Sequence, residues 1–245
     1  MYEPEGHIRA GRIIARHSTN RVDIREVIRS CIPLDRTESL LDLGCGYGFI
    51  WEQLEGHLRH GTRVVGVDRD DDNRWYFEAR VAHCGGRPEF FAMGLPTRTA
   101  FPDGSFDTVL SVFSFYYFPG MAAEVRRLLR PGGCFVAVTH CADSFQELNR
   151  IIGDDRVFGV LEHFNDTNGF DILSPYFSSI SVVRYENRLR FSRDDADDLE
   201  RYLRFKRPGW MGNVQAESIV ATTREMLSRQ ELVVTKNDII FVCVP

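Results

Sequence analysis

The sequence predicts an α/β fold built on a doubly wound, mostly parallel sheet, and three observations carry that reading. Between Ser39 and His140, short apolar runs alternate with helical patterns. Those runs are near-continuous rather than alternating, as expected of strands covered on both faces by crossover helices. The chain of 245 residues, 43% apolar and 27% charged, can bury a large core without disulfides or metals. No linker cuts off a second unit, so residues 1–245 read as one domain. Right-handed crossovers then place any ligand at the carboxyl ends of the strands.

Residues 1–38 read as helical and charged. Ser39-Leu40-Leu41-Asp42-Leu43 is a strand stopped by glycines, and Phe49 to Leu58 has helical spacing. Arg63 to Asp68 is the second strand, Asn73 to His83 a helix and Glu89 to Met93 the third strand. Phe106 to Val112 is the fourth. Met121 to Arg130 is a helix ended by Pro131-Gly132-Gly133, and Cys134 to Thr139 is the fifth strand. Two helices are expected across 141–180, then a strand over Ile180–Tyr185. Asp194 to Arg204 is an amphipathic helix with four aspartates near its start, which suits the helix dipole. Glu217 to Arg229 is another helix, and Asp238 to Val244 a terminal strand.

The sharpest feature is Asp42-Leu43-Gly44-Cys45-Gly46-Tyr47-Gly48-Phe49, set between a strand and a helical pattern. Glycines allow a tight turn and close approach of a ligand to the main chain, and a helix N-terminus beyond would offer unpaired N–H groups. A purely structural turn has the same look. The spacing excludes a dinucleotide fingerprint, whose third small residue falls on the bulky Phe49. Asp42 would repel a pyrophosphate and attract a cationic ligand. Twenty residues past Gly48, Asp68 ends the second strand, where a carboxylate can accept both hydroxyls of a ribose; hydrogen bonds to charged groups contribute about 1.5–3 kcal/mol. A solvated acid within Asp68-Arg69-Asp70-Asp71-Asp72 is the plainer alternative.

With these residues in place, the chain resembles the class I S-adenosylmethionine-dependent methyltransferases. Leu40 to Gly48 is similar to the family's first motif and Val65-Gly66-Val67-Asp68 to its second-strand motif. Phe101 to Val109 resembles the approach to strand four, and Val125 to Gly133 the following helix and turn. Outside 40–140 the likeness is looser, nearest to small-molecule enzymes. The resemblance implies a seven-stranded sheet with an antiparallel last strand and S-adenosylmethionine as cofactor. It also implies site residues. Gly44, Cys45, Gly46, Tyr47 and Gly48 would line the methionine and ribose, beside Asp42. Asp68 would hold the ribose and Arg69 flank the adenine. Gly94, Leu95 and Pro96 would border the adenine edge, and Val112 and Phe113 lie near the sulfonium. Asn20, in His17-Ser18-Thr19-Asn20, falls in a segment that closes over the cofactor in some relatives. Segments 1–38 and 141–175 would then form a lid that excludes water.

Two departures matter. Leu95 stands where many relatives have an acid for the adenine amino group, so adenine would rest on backbone groups and on Met93, Leu95 and Pro96. Ser114-Phe115-Tyr116-Tyr117-Phe118 lacks the histidines many relatives carry there. The remaining candidates for chemistry are Tyr116, Tyr117, His140 at the end of the fifth strand, and Tyr176 ahead of the sixth. Packing roles are open for all four, and for Phe113, Phe115 and Phe118, which could also face a cation. Orientation alone supplies about 7–11 kcal/mol to such a displacement, so a missing base does not exclude methyl transfer to a small molecule. Two rivals keep the cofactor: cyclisation of S-adenosylmethionine to azetidine-2-carboxylate with release of methylthioadenosine, and a binding protein without turnover.

The other indicators are negative. Thirty basic against thirty-five acidic residues give a net charge of −5, which disfavours nucleic acid. No apolar run approaches the ~18 residues of a membrane helix, and Met1-Tyr2-Glu3-Pro4-Glu5 shows no secretory signal. Six scattered cysteines without C-x-x-C pairs, and without nearby histidine clusters, predict no metal site and reduced thiols in a cytoplasmic setting. A homodimer is left open.

Overall fold

The computed structural model describes residues 4–153, 155–206 and 213–245. Residues 1–3 of the expected N-terminal lid and residue 154 of the expected insert lie outside them. In chain order come α1 (Pro4–His17), α2 (Ile24–Ser30), β1 (Ser39–Leu43), β2 (Arg63–Asp68), α3 (Arg74–His83), β3 (Arg87–Ala92), β4 (Phe106–Val112) and α4 (Ala122–Leu128). Then follow β5 (Leu129–His140), α5 (Gln146–Ile152), α6 (Gly169–Leu173), β6 (Ser179–Tyr185), β7 (Arg188–Phe191), α7 (Ala196–Lys206), α8 (Asn213–Arg229), β8 (Leu232–Thr235) and β9 (Asp238–Val244).

Seven strands form one sheet in the order β3-β2-β1-β4-β5-β9-β6, and β9 alone runs antiparallel to its neighbours. This is the expected doubly wound sheet. Its two faces follow from strand alternation. Leu41, Leu43, Val65, Val67, Val109 and Phe135 enter one core with α1, α4 and α5, while Leu40, Val64, Leu110 and Val136 enter a second core with α2 and α3. Because the parallel strands share one direction, their carboxyl ends form a single edge. The strand order reverses between β1 and β4, so a crevice opens there.

Two local expectations are corrected. The stretch 49–58 is not a helix: only Trp51–Gln53 winds, as a 3-10 turn. Its backbone bonds run from residue i+3 to i, from Gly48 N to Cys45 O through Leu54 N to Trp51 O. Trp51 is fully buried and its ring fixes the segment inward, so the apolar spacing there reflects tight turns around one anchor. The helix before Pro131 ends at Leu128, and Leu129 through Gly133 already belong to β5.

The cover of the crevice draws on a further segment that the sequence alone does not single out. Residues 186–236 leave the sheet at the end of β6 and return at the start of β9, where Tyr185 and Asp238 are register partners. This excursion folds as the β7–β8 ribbon with α7 and α8, and it emerges at the carboxyl edge. Segment 141–175 starts at that same edge, where Glu147 of α5 accepts from Thr235 N and Thr235 Oγ1 at the end of β8, and then crosses to the opposite edge, where β6 begins. α1 joins the excursion: Ser18 bridges to Leu189, and buried His17 donates through Nδ1 to Arg190 O at 3.0 Å and through Nε2 to Asp198 Oδ2 at 3.0 Å. Arg16 Nη1 adds a bond of 2.6 Å to the same carboxylate oxygen. Replacing Asp198 by Ala strands a buried imidazole, at a cost of about 1–3 kcal/mol. We expect Asp198→Ala to lower urea stability by that amount and to speed tryptic cleavage at Arg9, Arg12 and Arg16. Unchanged cleavage would show that Ala10 and Ile13 alone dock the helix.

Candidate active site

The turn after β1 is built by close approach. Gly44 N extends the ladder with a bond to Val67 O of 2.7 Å, and Gly44 adopts φ 67°. A Cβ added there would lie 2.5 Å from the Ser114 Cβ. Ser114 in turn donates to Leu43 O at 2.7 Å and shares a bond of 2.6 Å with Ser111. The first glycine therefore has a packing reason: it lets the end of β4 close on the end of β1. Gly46 N, two residues on, donates to Asp68 Oδ2 at 2.9 Å.

Asp68 is thus tied to the glycine turn across the crevice mouth. Its Oδ1 accepts from Asp70 N at 3.0 Å and from Asn73 Nδ2 at 3.2 Å. A carboxylate offers about four acceptor sites, so one on Oδ2 is unused by these three bonds. Fully buried Asn73 keeps an Oδ1 with no hydrogen-bond partner. Met93 N donates to Asp68 O at 2.8 Å, which sets Gly94, Leu95 and Pro96 beside the acid. Gly94 faces open space and Leu95 is half-buried against the core. An acceptor, an open backbone and an apolar edge side by side fit a nucleoside. Arg69 extends outward, its Nε 3.7 Å from Asp70 Oδ2.

Cys45 and Tyr47 are buried. Burial pushes the Tyr47 phenol up to about 12 despite the nearby Arg80. Arg80 holds the turn from outside, bonding Tyr47 O at 2.5 Å and lying 4.9 Å over the Tyr47 ring. Gly48 packs on Trp51.

Past β4 the half-buried Val112 and Phe113 reach the crevice. Phe113 adopts φ 55°, which is strained for an aromatic residue. It stacks on His140 with centroids 4.8 Å apart and meets Phe49 edge-on at 5.9 Å. His140 bonds through Nδ1 to Asp238 Oδ1 at 2.5 Å, so the structure joins Phe113 and His140 as one cluster. Phe115 and Phe118 are buried against each other, and Phe115 also meets Phe135 and Phe164, so both pack the core. Tyr116 is buried with its ring 4.7 Å from that of the exposed Tyr117.

Two candidates are placed elsewhere. Tyr176 precedes β6, at the end of the sheet opposite the glycine turn, because β6 runs parallel to β5. Asn20 spends both ends of its carboxamide on structure: Nδ2 donates to Glu186 O at 3.0 Å and Oδ1 accepts from Val22 N at 3.0 Å. It laces the N-terminal segment to the turn after β6. Sequence reasoning missed Phe49, Asn73, Ser114, Lys236 and Asp238. Lys236 reads as a turn residue and Asp238 as the first residue of the final strand, and the one signal is the rarity of lysine, Lys236 being one of two.

Asp42 is buried, and its Oδ2 accepts from Trp51 Nε1 at 3.1 Å. Burial raises its carboxyl to about 7, with the Trp51 bond opposing and the Asp68 charge assisting. A raised folded-state value means that the group's stabilising contribution is complete below the unfolded value near 3.8 and is lost as pH climbs to about 7. Each unit of that window carries about 1.4 kcal/mol. Asp42→Asn keeps the Trp51 bond and removes the titration. Its stability relative to the native protein should therefore rise by about 2 kcal/mol or more between pH 4.5 and 7.5 in urea unfolding. A difference independent of pH would mean that Asp42 ionises as it does in solution.

The comparisons with known proteins agree with this geometry. Residues 41–137 match the methyltransferase domain family. Nocamycin O-methyltransferase of Saccharothrix syringae is 36% identical over 97 residues, covering 38% of this chain and 35% of that protein. The chain spans less than half the length of the curated relatives it matches. The YcgJ protein of Bacillus subtilis shares the fold, with a TM-score of 0.56 at 18% identity over 90% of this chain and 97% of that one. So does the geranyl diphosphate C-methyltransferase of Streptomyces coelicolor, solved with Mg2+, geranyl diphosphate and S-adenosyl-L-homocysteine, with a TM-score of 0.51 at 14% identity over 90% and 76% of the two chains. Residues 41–137, set in a sheet of the matching order, thus carry the likeness to the methyltransferase domain family.

Proposed function

We propose that the protein transfers a methyl group from S-adenosylmethionine to a small-molecule acceptor. The observation that carries this reading is the carboxylate of Asp68, fixed at the end of β2 by Gly46 N and Asn73 Nδ2 and flanked by the open Gly94. The cofactor supplies an electrophilic methyl on a sulfonium. Asp68 receives a ribose hydroxyl at the unused Oδ2 site. Met93, Leu95 and Pro96 give adenine an apolar border, and no side-chain acid lies at 95. Phe113 and Val112 stand at the switch point between β1 and β4, where the reacting groups meet.

His140 is the candidate proton acceptor, because it is buried beside Phe113 and oriented by Asp238. The exposed Tyr117 is a contact for the acceptor at the crevice mouth. Residues 186–236 with α1 act as the cover that excludes water, since they rise from the carboxyl edge of the sheet. His7 of α1 lies 6.2 Å from the Tyr47 ring and edge-on to Phe205 of α7 at 4.7 Å, so the helix and the cover meet over the glycine turn. Acceptors of small size suit such an enclosed site. The acidic balance of the chain argues against a nucleic-acid backbone.

The test is to incubate the protein with S-adenosylmethionine, alone and with a panel of small hydroxyl, amine and carbon acids, and to identify the nucleoside by mass spectrometry. S-adenosylhomocysteine that appears only with an acceptor is the expected result. Methylthioadenosine formed without acceptor would mean ring closure of the cofactor instead, and binding with neither product would mean no turnover. Asp68→Ala should weaken calorimetric affinity for S-adenosylmethionine about tenfold or more. Unchanged affinity would remove the ribose assignment.

A further inference from the structure

The two edges of the main sheet are finished differently. Its outer strands are β3 and β6. An edge strand turns the N–H and C=O of every second residue away from its neighbour. On β3, Arg87 N and Met93 N bond inward to Thr62 O and Asp68 O, so Pro88, Phe90 and Ala92 face out. Pro88 has no N–H to offer, and Phe90 O is taken by Arg74 Nη1 at 2.8 Å. This edge is blunted by its own residues.

The β6 edge has no such device. Asn237 faces β5, since its carbonyl accepts from Cys141 N at 2.9 Å, and Lys236 faces the other way, donating through N to Asn187 O at 3.0 Å. The alternation continues along β9, so Asp238, Ile240 and Val242 turn their main-chain groups to Tyr185, Val183 and Ser181. The main-chain groups of Ile180, Val182 and Arg184 therefore face out, and no hydrogen bond among the described residues reaches them. The strand Ser-Ile-Ser-Val-Val-Arg-Tyr carries no Pro, Gly, Lys or acid. Its one charge, Arg184, is held by Asp166 Oδ2 at 3.2 Å. Val182 is 45% exposed, and Phe170 and Tyr176 are exposed as well. A Cβ added to Gly169 would lie 2.5 Å from the ring of Phe241, the register partner of Val182, so α6 and Val182 occupy the same face of the sheet.

We infer that β6 pairs antiparallel with β6 of a second copy of this chain, about a two-fold axis through Val182. Three features select that partner and that register. The blunted β3 cannot receive β6 of another copy, so a head-to-tail contact is closed off and the self-complementary one remains. Centring on Val182 matches every outward group: Val182 exchanges two bonds with its counterpart, and Ile180 of each copy exchanges two with Arg184 of the other. Centring on Arg184 would oppose like charges, and centring on Ile180 would carry Arg184 past the end of the partner strand. The two Val182 side chains meet at the axis, and the apolar surface of α6 flanks the seam. The carboxyl edges of the two sheets then point in opposite directions. Each crevice is complete within one chain, and the inference does not rest on methyl transfer.

The test is sedimentation equilibrium over a dilution series. The native protein should dimerise. Val182→Glu and Val182→Arg each set like charges face to face at the axis and should weaken self-association about tenfold or more. An equimolar mixture of the two variants should dimerise again, because Glu then meets Arg, and this recovery also shows that both fold. A monomeric native protein, variants as dimeric as the native chain, or a mixture that stays monomeric with both variants folded by circular dichroism would each overturn the inference. Amide hydrogen exchange on the native protein reads the pairing without any variant. The N–H groups of Ile180, Val182 and Arg184 should exchange as slowly as those of Ser181 and Val183, and should speed up on dilution to monomer. Fast exchange at those three positions in a native dimer would overturn the inference by placing the contact on another face.

Discussion

The parallel register of β1 between β2 and β4 is the constraint on which the rest depends. It sets Leu43 beside Val67 and Asp42 beside Leu110, so three strands end at one level. The hydrogen bond from Gly44 to Val67 carries the ladder one residue beyond the strand, and the next tie, from Gly46 to Asp68, spans the turn itself. A slip of one residue in this pairing would invert every side chain of β1. It would exchange Asp42 with its apolar neighbours and separate the glycine turn from its carboxylate. The two cores on either face, filled by alternate residues of the same strands, oppose that slip.

Two carboxyls in the molecule are equally hidden and behave in opposite ways. Asp42 has an indole N–H and a second acid for company, and its proton is held to about pH 7. Asp238 has an ammonium and an imidazole, and these hold its carboxyl below the usual range despite the same isolation from water. Burial sets the size of the penalty in both cases, and the sign of the neighbours decides the outcome. Both acids border the crevice, at β1 and at β9. One edge of a single sheet therefore presents one acid shifted up by burial and one held down by its neighbours.

The sheet was legible from sequence because its strands are continuous apolar runs and its turns carry glycine or proline. The pairing of Asp68 with the glycine turn was equally legible, since it depends on spacing within one β–turn–β unit. What could not be read required knowledge of direction or of distant partners. Tyr176 looked close to the cofactor until the parallel course of β6 put it at the far end. Asp238 meets His140 across 98 positions, a separation for which no local pattern exists. β7 and β8 have four residues each, and the Arg188-Leu189-Arg190-Phe191 alternation is too short to outweigh a loop. The stretch 49–58 misled in a different way. Ile50, Trp51, Leu54 and Leu58 carry helical spacing, yet Gly48 and Gly56 adopt positive φ at its two ends, and the chain turns around Trp51 rather than advancing along an axis.

The excursion from Tyr185 to Asp238 departs and returns through paired positions on adjacent antiparallel strands, about 5 Å apart in such a pair. Its two ends are therefore neighbours whatever lies between them. Material can be lengthened, shortened or replaced within that closed loop without straining the strands that anchor it, since closure entropy grows only slowly with length. The cover of the crevice can drift in this detachable portion while the half that carries the glycine turn and Asp68 stays as it is. The one part that cannot drift with it is the returning Lys236-Asn237-Asp238 segment, which is bolted to the sheet by the same side chains that hold the imidazole.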